Sequence, residues 1–154
     1  MAQSVVLRPV QPSDLLEFFE HQRDVAASRM AAFPPRPMEA HMAHWRKIMA
    51  DPEVTVRTIW QEEKVAGHIG SWQAEGTWQV GYWIGRNFWG KGVATEALRQ
   101  FLAVQLARPL YAHVAVHNVG SIRVLEKCGF REWGREKGVS MNGGPPVDEV
   151  IFMI

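Results

Sequence analysis

Short apolar runs, several of them alternating with polar residues, dominate the pattern of this chain and predict strands. The first covers Val5 to Arg8 and is stopped by Pro9. Valine, isoleucine and aromatic residues are frequent in these runs, which is typical of a pleated, half-buried surface. The remaining predicted strands span residues 54–60, 65–72, 79–84, 110–116, 133–139 and 147–154.

Four other segments repeat apolar residues every three or four positions and predict helices. The first begins at Pro12, a residue type suited to the first helical turn. A proline-rich loop at residues 33–37 separates it from the second helix, which ends near Asp51. The third is predicted over residues 93–107, and the fourth begins at the capping residue Asn118.

The order of these elements predicts a mixed α/β fold and a single domain over residues 1–154. Strands between residues 54 and 84 form an antiparallel meander, and a terminal hairpin surrounds residues 142–146. Strand 79–84, a glycine turn, a helix and strand 110–116 form a crossover, which makes these two strands parallel. We expect a mostly antiparallel sheet of six to seven strands with one parallel pair and about four helices. Ligands bind at the carboxyl ends of such strands.

Net charge, cysteine count and the length of apolar runs exclude several classes of function. A formal net charge of +1 gives no basis for general nucleic-acid binding, which calls for a basic stripe. Cys128 is the one cysteine, so an intramolecular disulfide is excluded and a reducing compartment is expected. No apolar run approaches membrane-spanning length, and the first residues lack a basic and apolar leader. We therefore expect a cytoplasmic protein that binds neither membranes nor nucleic acid.

The glycine turn that joins strand 79–84 to the helix at residues 93–107 predicts an anion-binding site. Gly90 and Gly92 bracket Lys91 directly before the helix. Free backbone N–H groups converge at a helix N-terminus, and glycine lets a phosphate approach the backbone closely. Neither the P-loop nor the GxGxxG spacing is present, because Gly92 follows Lys91 and no third glycine follows in place. A plain strand-to-helix turn is the alternative interpretation.

Two segments resemble the GNAT acetyltransferase superfamily. Trp89-Gly90-Lys91-Gly92-Val93-Ala94 is similar to its acyl-coenzyme-A loop, (Gln/Arg)-x-x-Gly-x-(Gly/Ala), with tryptophan at the first position. Residues 117–130, HNVGSIRVLEKCGF, resemble a second segment of the branch that includes the RimJ/RimL-like ribosomal-protein N-terminal acetyltransferases. Residues 142–150 also resemble this branch. The stretch at residues 78–95, which contains the loop, and residues 117–130 together cover about a fifth of the chain.

The resemblance implies transfer of an acetyl group from acetyl-coenzyme A to a primary amine, with no metal. It also implies that the parallel strands splay apart, so that the pantetheine arm pairs with backbone groups of residues 82–84. The pyrophosphate would lie on the glycine turn, and Asn118 would bond the pantetheine or simply cap its helix. The residues expected to bind the cofactor are Tyr82, Trp83, Ile84, Trp89, Gly90, Lys91, Gly92, Val93, Ala94, Thr95, Asn118, Arg123 and Lys127.

A proton donor to the departing thiolate is the expected catalytic group. Many superfamily members carry a tyrosine in the second segment where this chain has Leu125. Ser121 is the hydroxyl that matches the branch, so we expect it to stabilise or protonate the thiolate, unless it only packs or caps. The general base stays open among four side chains and ordered water. The four are His68, Glu75, His113 and His117.

The acceptor is left open between a protein N-terminus and a small-molecule amine, and a homodimer is left open as well. A coenzyme-A-binding sensor without turnover is the alternative from another functional class. The acceptor walls of the superfamily correspond to the loop at residues 33–37, the second helix and the terminal hairpin, which are the least diagnostic parts of the sequence.

Overall fold

The computed structural model describes residues 4–154. It contains seven strands: β1 (Val5–Arg8), β2 (Thr55–Gln61), β3 (Lys64–Ala74), β4 (Thr77–Ile84), β5 (Leu110–Ala115), β6 (Arg131–Val139) and β7 (Val147–Met153). Its five α-helices are α1 (Asp14–Arg23), α2 (Val25–Ala31), α3 (Met38–Ala50), α4 (Val93–Val104) and α5 (Val119–Lys127), and a short 3₁₀ helix covers Arg86–Phe88.

All seven strands form one sheet in the order β1-β2-β3-β4-β5-β7-β6. Neighbouring strands are antiparallel except β4 and β5, which run parallel. The predicted mixed α/β fold, with its single parallel pair produced by the crossover through α4, is therefore confirmed.

Helices cover both faces of the sheet. α1 packs on β3 and β4 with α3 beside it, and α2 contacts β5, whereas α4 packs over β1, β3 and β4 and contacts α5. The core beneath α4 includes the fully buried Ile69, Leu98, Phe101 and Leu110. We call these two sides the α1–α3 face and the α4–α5 face.

The helix count differs from the prediction because of α2. Its sequence VAASRMA carries no clear apolar stripe, yet the Asp24 side chain caps it by accepting a hydrogen bond from the Ala26 amide. Helix α4 ends at Val104 rather than at residue 107, because the Gln105 side chain is engaged elsewhere. Its amide donates to Oγ of Ser71 at 2.8 Å and its carbonyl accepts from the Ala107 amide at 2.9 Å.

Within residues 4–154, the helices are all too short or too polar to cross a bilayer.

Candidate functional site

Strands β4 and β5 pair only at their beginnings. Trp78 lies opposite Leu110 and Gln79 opposite Tyr111, and no further pairs follow. β4 nevertheless stays paired with β3 as far as Ile84, and β5 stays paired with β7 as far as Ala115. The two halves of the sheet therefore remain intact while they separate, which leaves backbone groups of residues 80–84 without a strand partner on one side. We call this opening the fork.

A cavity of about 440 Å³ occupies the mouth of the fork. It gathers residues from β4, the glycine turn at residues 89–92, and α4, α5 and α2. Every sequence-predicted cofactor residue lines it except Lys91, and so does the predicted catalytic residue Ser121. Tyr82 on β4 and Val124 on α5, which are 42 positions apart in sequence, thus line the same cavity.

The glycine turn is held in a conformation that only glycine adopts readily. Gly90 and Gly92 have φ values of 71° and 76°, and a Cβ on either would meet no atom within 4 Å. The space above both residues is therefore open to a ligand. Trp89 anchors the turn, because its indole Nε1 donates to the Ile84 carbonyl at 2.9 Å.

Helix α4 begins directly after this turn, at Val93, with Gly92 as a cap that has no side chain to offer. The first amides of an α-helix lack an intrahelical acceptor, and the helix dipole favours negative charge there. Val93, Ala94 and Thr95, the first three residues of α4, all line the cavity. The turn therefore has the geometry of an anion site.

Positive charge reaches the cavity from α5 rather than from the turn. Arg123 and Lys127 are one helical turn apart on the same helix face, are exposed to solvent, and line the cavity. Lys91 instead carries its ammonium 5.9 Å from the ring centre of Phe88 and lies off the cavity wall. The structure thus does not bring Lys91 together with the other predicted residues.

Tyr82 and Ser121 meet across the fork. The phenolic oxygen of Tyr82 lies 2.7 Å from Oγ of Ser121 and 3.3 Å from its backbone carbonyl. Burial raises the pKa of Tyr82 to about 12, although the bond to Ser121 opposes the shift. The phenol therefore keeps its proton at neutral pH. The shorter contact joins the two hydroxyl groups, so Tyr82 can donate to Oγ and leave the Ser121 proton to point elsewhere.

Asn118 and Ser121 share the start of α5. Asn118 caps the helix, with its Oδ1 accepting from the Ser121 amide at 3.3 Å. The predicted helix-capping role of Asn118 is therefore confirmed, and the residue also lines the cavity. Trp83 adds a buried donor, because its indole Nε1 has no hydrogen-bond partner among the described residues.

The four candidate bases lie in different environments. His68 is half-buried and packs against Phe18 and Trp45, and desolvation lowers its pKa to about 3. Glu75 lies in the turn before β4, on the order of 25 Å from the fork end of that strand. Neither residue faces the cavity.

The two remaining histidines lie nearer the open end of β5. His113 Nδ1 lies 3.3 Å from Oε1 of Glu149, and this hydrogen bond raises the pKa of the imidazole. His117 follows β5, and its Nε2 contacts the Arg29 carbonyl at 2.9 Å, so it ties that end of the strand to α2. Neither lines the cavity.

Sequence reasoning missed the contribution of α2 and the role of the Tyr82 hydroxyl. Ala27, Met30 and Ala31 of α2 line the cavity, together with Phe88 and Gly120. The α2 residues carry no motif that could have marked them. A tyrosine in a strand gives no sign of which side chain its hydroxyl will reach on the other side of the fork.

Known proteins share this sequence pattern and this architecture. The profile of the acetyltransferase (GNAT) domain matches residues 4–131. A relative named uncharacterized N-acetyltransferase p20, from Bacillus licheniformis, is 32% identical over 87 residues, which are 53% of this chain and 48% of the relative. The chain thus spans about half the length of this curated relative.

Solved structures match over nearly the whole chain. An acetyltransferase of the GNAT family from Bacillus anthracis superposes with a TM-score of 0.83 at 22% identity, covering 100% of this chain and 96% of that one. Spermidine N-acetyltransferase from Vibrio cholerae, solved with CoA and spermine, gives a TM-score of 0.81 at 18% identity and covers 97% and 94% of the two chains. These likenesses support the fold, and the profile match covers more than half of the sequence. The chain belongs to the acetyltransferase (GNAT) domain family.

Proposed function

We propose that this protein is an N-acetyltransferase that moves an acetyl group from acetyl-coenzyme A to a primary amine. The observation that carries the proposal is the fork. It joins an anion-binding turn at its mouth to unpaired strand backbone and to a hydroxyl pair in one cavity. The family membership and the CoA complex of the spermidine N-acetyltransferase support the same cofactor.

The donor occupies the fork in an extended conformation. Its pyrophosphate lies on the amides that open α4, and Arg123 and Lys127 neutralise its remaining phosphate charge. The pantetheine arm pairs with backbone groups of residues 82–84, which have lost their neighbour on the β5 side. These contacts place the thioester between β4 and α5.

The amine attacks the thioester carbonyl as a neutral nucleophile. A carbon–nitrogen bond forms, and the attacking nitrogen, which becomes positively charged, gives up a proton to a base or to water. The carbon–sulfur bond breaks, and the departing thiolate takes up a proton from water or from that base. Ser121 is placed to donate a hydrogen bond to this sulfur, because it lies on the cavity wall opposite β4.

Tyr82 acts on this step through Ser121. The raised pKa of Tyr82 makes the phenol a poor proton donor to a thiolate, because the conjugate thiol has an ordinary pKa of about 8.5. We therefore assign it a positioning role, in which its O–H donates to Oγ and directs the Ser121 proton toward the substrate. Such preorganised donors act where charge develops in the transition state.

The acceptor enters from the α1–α3 face. Trp83 lies on that face of β4, since it pairs with His68, and it packs edge-on against Phe33 with ring centres 6.4 Å apart. The loop at residues 33–37 in turn contacts the β6–β7 loop, where Nδ2 of Asn142 donates to the Pro34 carbonyl at 2.8 Å. These two loops form the acceptor wall, and the family proteins' acceptors include the spermidine named for the Vibrio cholerae enzyme.

The acceptor is a small-molecule amine or a protein N-terminus, as in the RimJ/RimL-like branch, and the enzyme acts in the cytoplasm. Steady-state turnover of acetyl-coenzyme A with polyamines, amino-acid amines and N-terminal peptides side by side decides between them. Binding of acetyl-coenzyme A without turnover of any amine would favour the sensor alternative. Absence of both binding and turnover would overturn the proposal.

A further inference from the structure

We propose that His113, Glu136 and Glu149 form a binding site for a divalent transition-metal ion of the Zn²⁺ type. One potential ligand atom from each of the three side chains lies within 4.8 Å of the others. None of them lines the cavity in the fork, so this site is separate from the cofactor site and does not depend on the proposed function.

Three neighbouring strands hold the side chains on one face of the sheet. Glu136 of β6 lies directly opposite Glu149 of β7. On β5, Ala115 is the residue opposite Glu149, and His113 lies two positions before it. Side chains two positions apart on a strand point to the same face, so all three project toward the α1–α3 face. Backbone pairing thus fixes the relative positions of their Cβ atoms before any ligand binds.

The burial of Glu149 is an independent observation that favours a cation at this site. Its side chain is only 2% exposed, and its Oε1 points to Nδ1 of His113 at 3.3 Å. Its Oε2 is buried and has no hydrogen-bond partner in the described part of the chain. Burying a carboxylate oxygen without a partner is costly. A cation held between Glu149, His113 and Glu136 would remove this cost.

The donor set favours a transition metal over calcium or magnesium. One imidazole and two carboxylates match the mixed nitrogen and oxygen ligands of zinc sites that keep an open position. Ligand atoms held tetrahedrally at about 2.1 Å from one zinc ion lie roughly 3.4 Å apart, so atoms now within 4.8 Å of one another close in by at most about 1.4 Å on binding. Glu136 is exposed and the His113 side chain is 36% exposed, so an ion can enter from solvent.

An ion pair between an imidazolium and two carboxylates is the competing explanation of the same geometry. The hydrogen bond to Glu149 raises the pKa of His113, as expected for such a pair. The metal site and the ion pair predict different results when a metal ion is added to the protein. A metal site binds an ion with defined stoichiometry and links β5, β7 and β6, which stabilises the fold by mass action. An ion pair alone binds none.

Calorimetric titration of the chelator-treated full chain with Zn²⁺, paired with Co²⁺ absorption spectra, tests the proposal. We expect one equivalent to bind, a rise in melting temperature, and affinity at least about tenfold lower in Glu136→Gln, His113→Gln and Glu149→Gln. Glu136→Gln is the most direct variant, because an exposed side chain can change without unfolding the chain. Glu132→Gln, at another exposed carboxylate of β6, is the matched control and should bind as the wild type does.

The Co²⁺ spectrum also separates this site from Cys128, since thiolate ligation would add an intense charge-transfer band. Absence of stoichiometric binding would overturn the proposal and leave the ion pair. Binding that survives in Glu136→Gln and His113→Gln, or that shows the thiolate band, would overturn it as well. Because these readouts measure binding alone, their failure is distinct from failure of the acetyltransferase proposal.

Discussion

The Tyr82 hydroxyl lies 2.7 Å from Oγ of Ser121, although the two residues belong to opposite walls of the fork and are 39 positions apart in sequence. β4 supplies the phenol and the first turn of α5 supplies the serine. Both residues line the cavity, so the contact places two linked hydroxyl groups on its wall. In the proposed arrangement Tyr82 donates to Oγ of Ser121, which leaves the Ser121 proton free for a substrate atom. The contact therefore divides the proposed chemistry between a donor and the residue that orients it.

Ser121→Ala should lower turnover while leaving acetyl-coenzyme A affinity unchanged. A donor to the departing thiolate acts mainly in the transition state, and loss of such a bond typically costs on the order of ten- to a thousand-fold in rate. We expect at least about tenfold. Steady-state rates and equilibrium binding of the variant check this. Unchanged turnover would make Ser121 a packing residue.

Tyr82→Phe should produce a smaller loss of turnover than Ser121→Ala, on the order of a few-fold to tenfold, because the serine remains but is less well oriented. The double variant should be no slower than Ser121→Ala alone, since Tyr82 acts through Ser121. Additive losses would contradict this arrangement and give Tyr82 a separate role. Equal acetyl-coenzyme A affinity in all three variants shows that the fork has kept its shape.

Gly92→Asp should abolish the thermal stabilisation that acetyl-coenzyme A gives the wild type. The substitution places a carboxylate where the cofactor's pyrophosphate is expected and adds a side chain at a φ of 76°. Gly76→Asp is a matched control, because Gly76 has a φ of 80°, equally open surroundings and a position in the turn at the other end of β4. Both variants carry similar backbone strain. Loss of the shift in both would mean that strain, rather than the anion site, is responsible.

Arg123→Ala and Lys127→Ala should raise the Michaelis constant for acetyl-coenzyme A more than they lower turnover. Phosphate contacts persist unchanged through the transition state, so their loss weakens binding uniformly. Lys91→Ala should have a smaller effect of the same kind, because the Lys91 ammonium lies off the cavity wall. Lys137→Ala on β6 serves as a charge-matched control. A turnover defect without a change in the Michaelis constant would contradict the assignment.

Acid should destabilise the fold through half-buried neutral histidines. Burial lowers the pKa of His68 to about 3 and that of His44 to about 4, so the unfolded chain binds more protons than the folded one between these values and about 6.5. The free energy of unfolding therefore rises with pH through this window and falls on acidification. The loss from His68 is on the order of a few kcal/mol by pH 4.

Urea titrations at a series of pH values measure this dependence. His44→Gln, at a half-buried position, should flatten the slope of unfolding free energy against pH below pH 6 without unfolding the chain. His117→Gln, at an exposed position, is the control. An identical slope in His44→Gln and the wild type would exclude that histidine from the effect.

Several features of the molecule follow from local sequence alone. The short run of aromatic and β-branched residues at 79–84 and the capping residue Asn118 predict a strand and a helix start that the structure contains. Gly90 and Gly92 predict a turn with open backbone, and both have positive φ. Because these signals depend on backbone preferences and on neighbouring residues, they can be recognised without any knowledge of distant contacts. The order strand, glycine turn, helix, strand also predicts that β4 and β5 run parallel, as they do.

Contacts between segments distant in sequence decided the existence of α2 and the choice of side chains that line the cavity. Helix α2 was missed because its sequence has no apolar stripe, and its place beside β5 depends on contacts made elsewhere in the chain. Lys91 and His68 illustrate the same limit. Both are plausible functional residues by type, yet Lys91 does not line the cavity and His68 packs against Phe18 and Trp45 instead.

The sequence by itself thus determined the family, the order of elements and the position of the glycine turn before α4, because glycine placement and short apolar runs are local properties. Only the tertiary structure decided which side chains share an environment. Tyr82 meets Ser121, and Glu149 meets His113, because a sheet brings distant segments to within a few ångströms of each other in a register that the hydrophobic core fixes. The direction in which each polar group points depends on that register and not on its sequence neighbours.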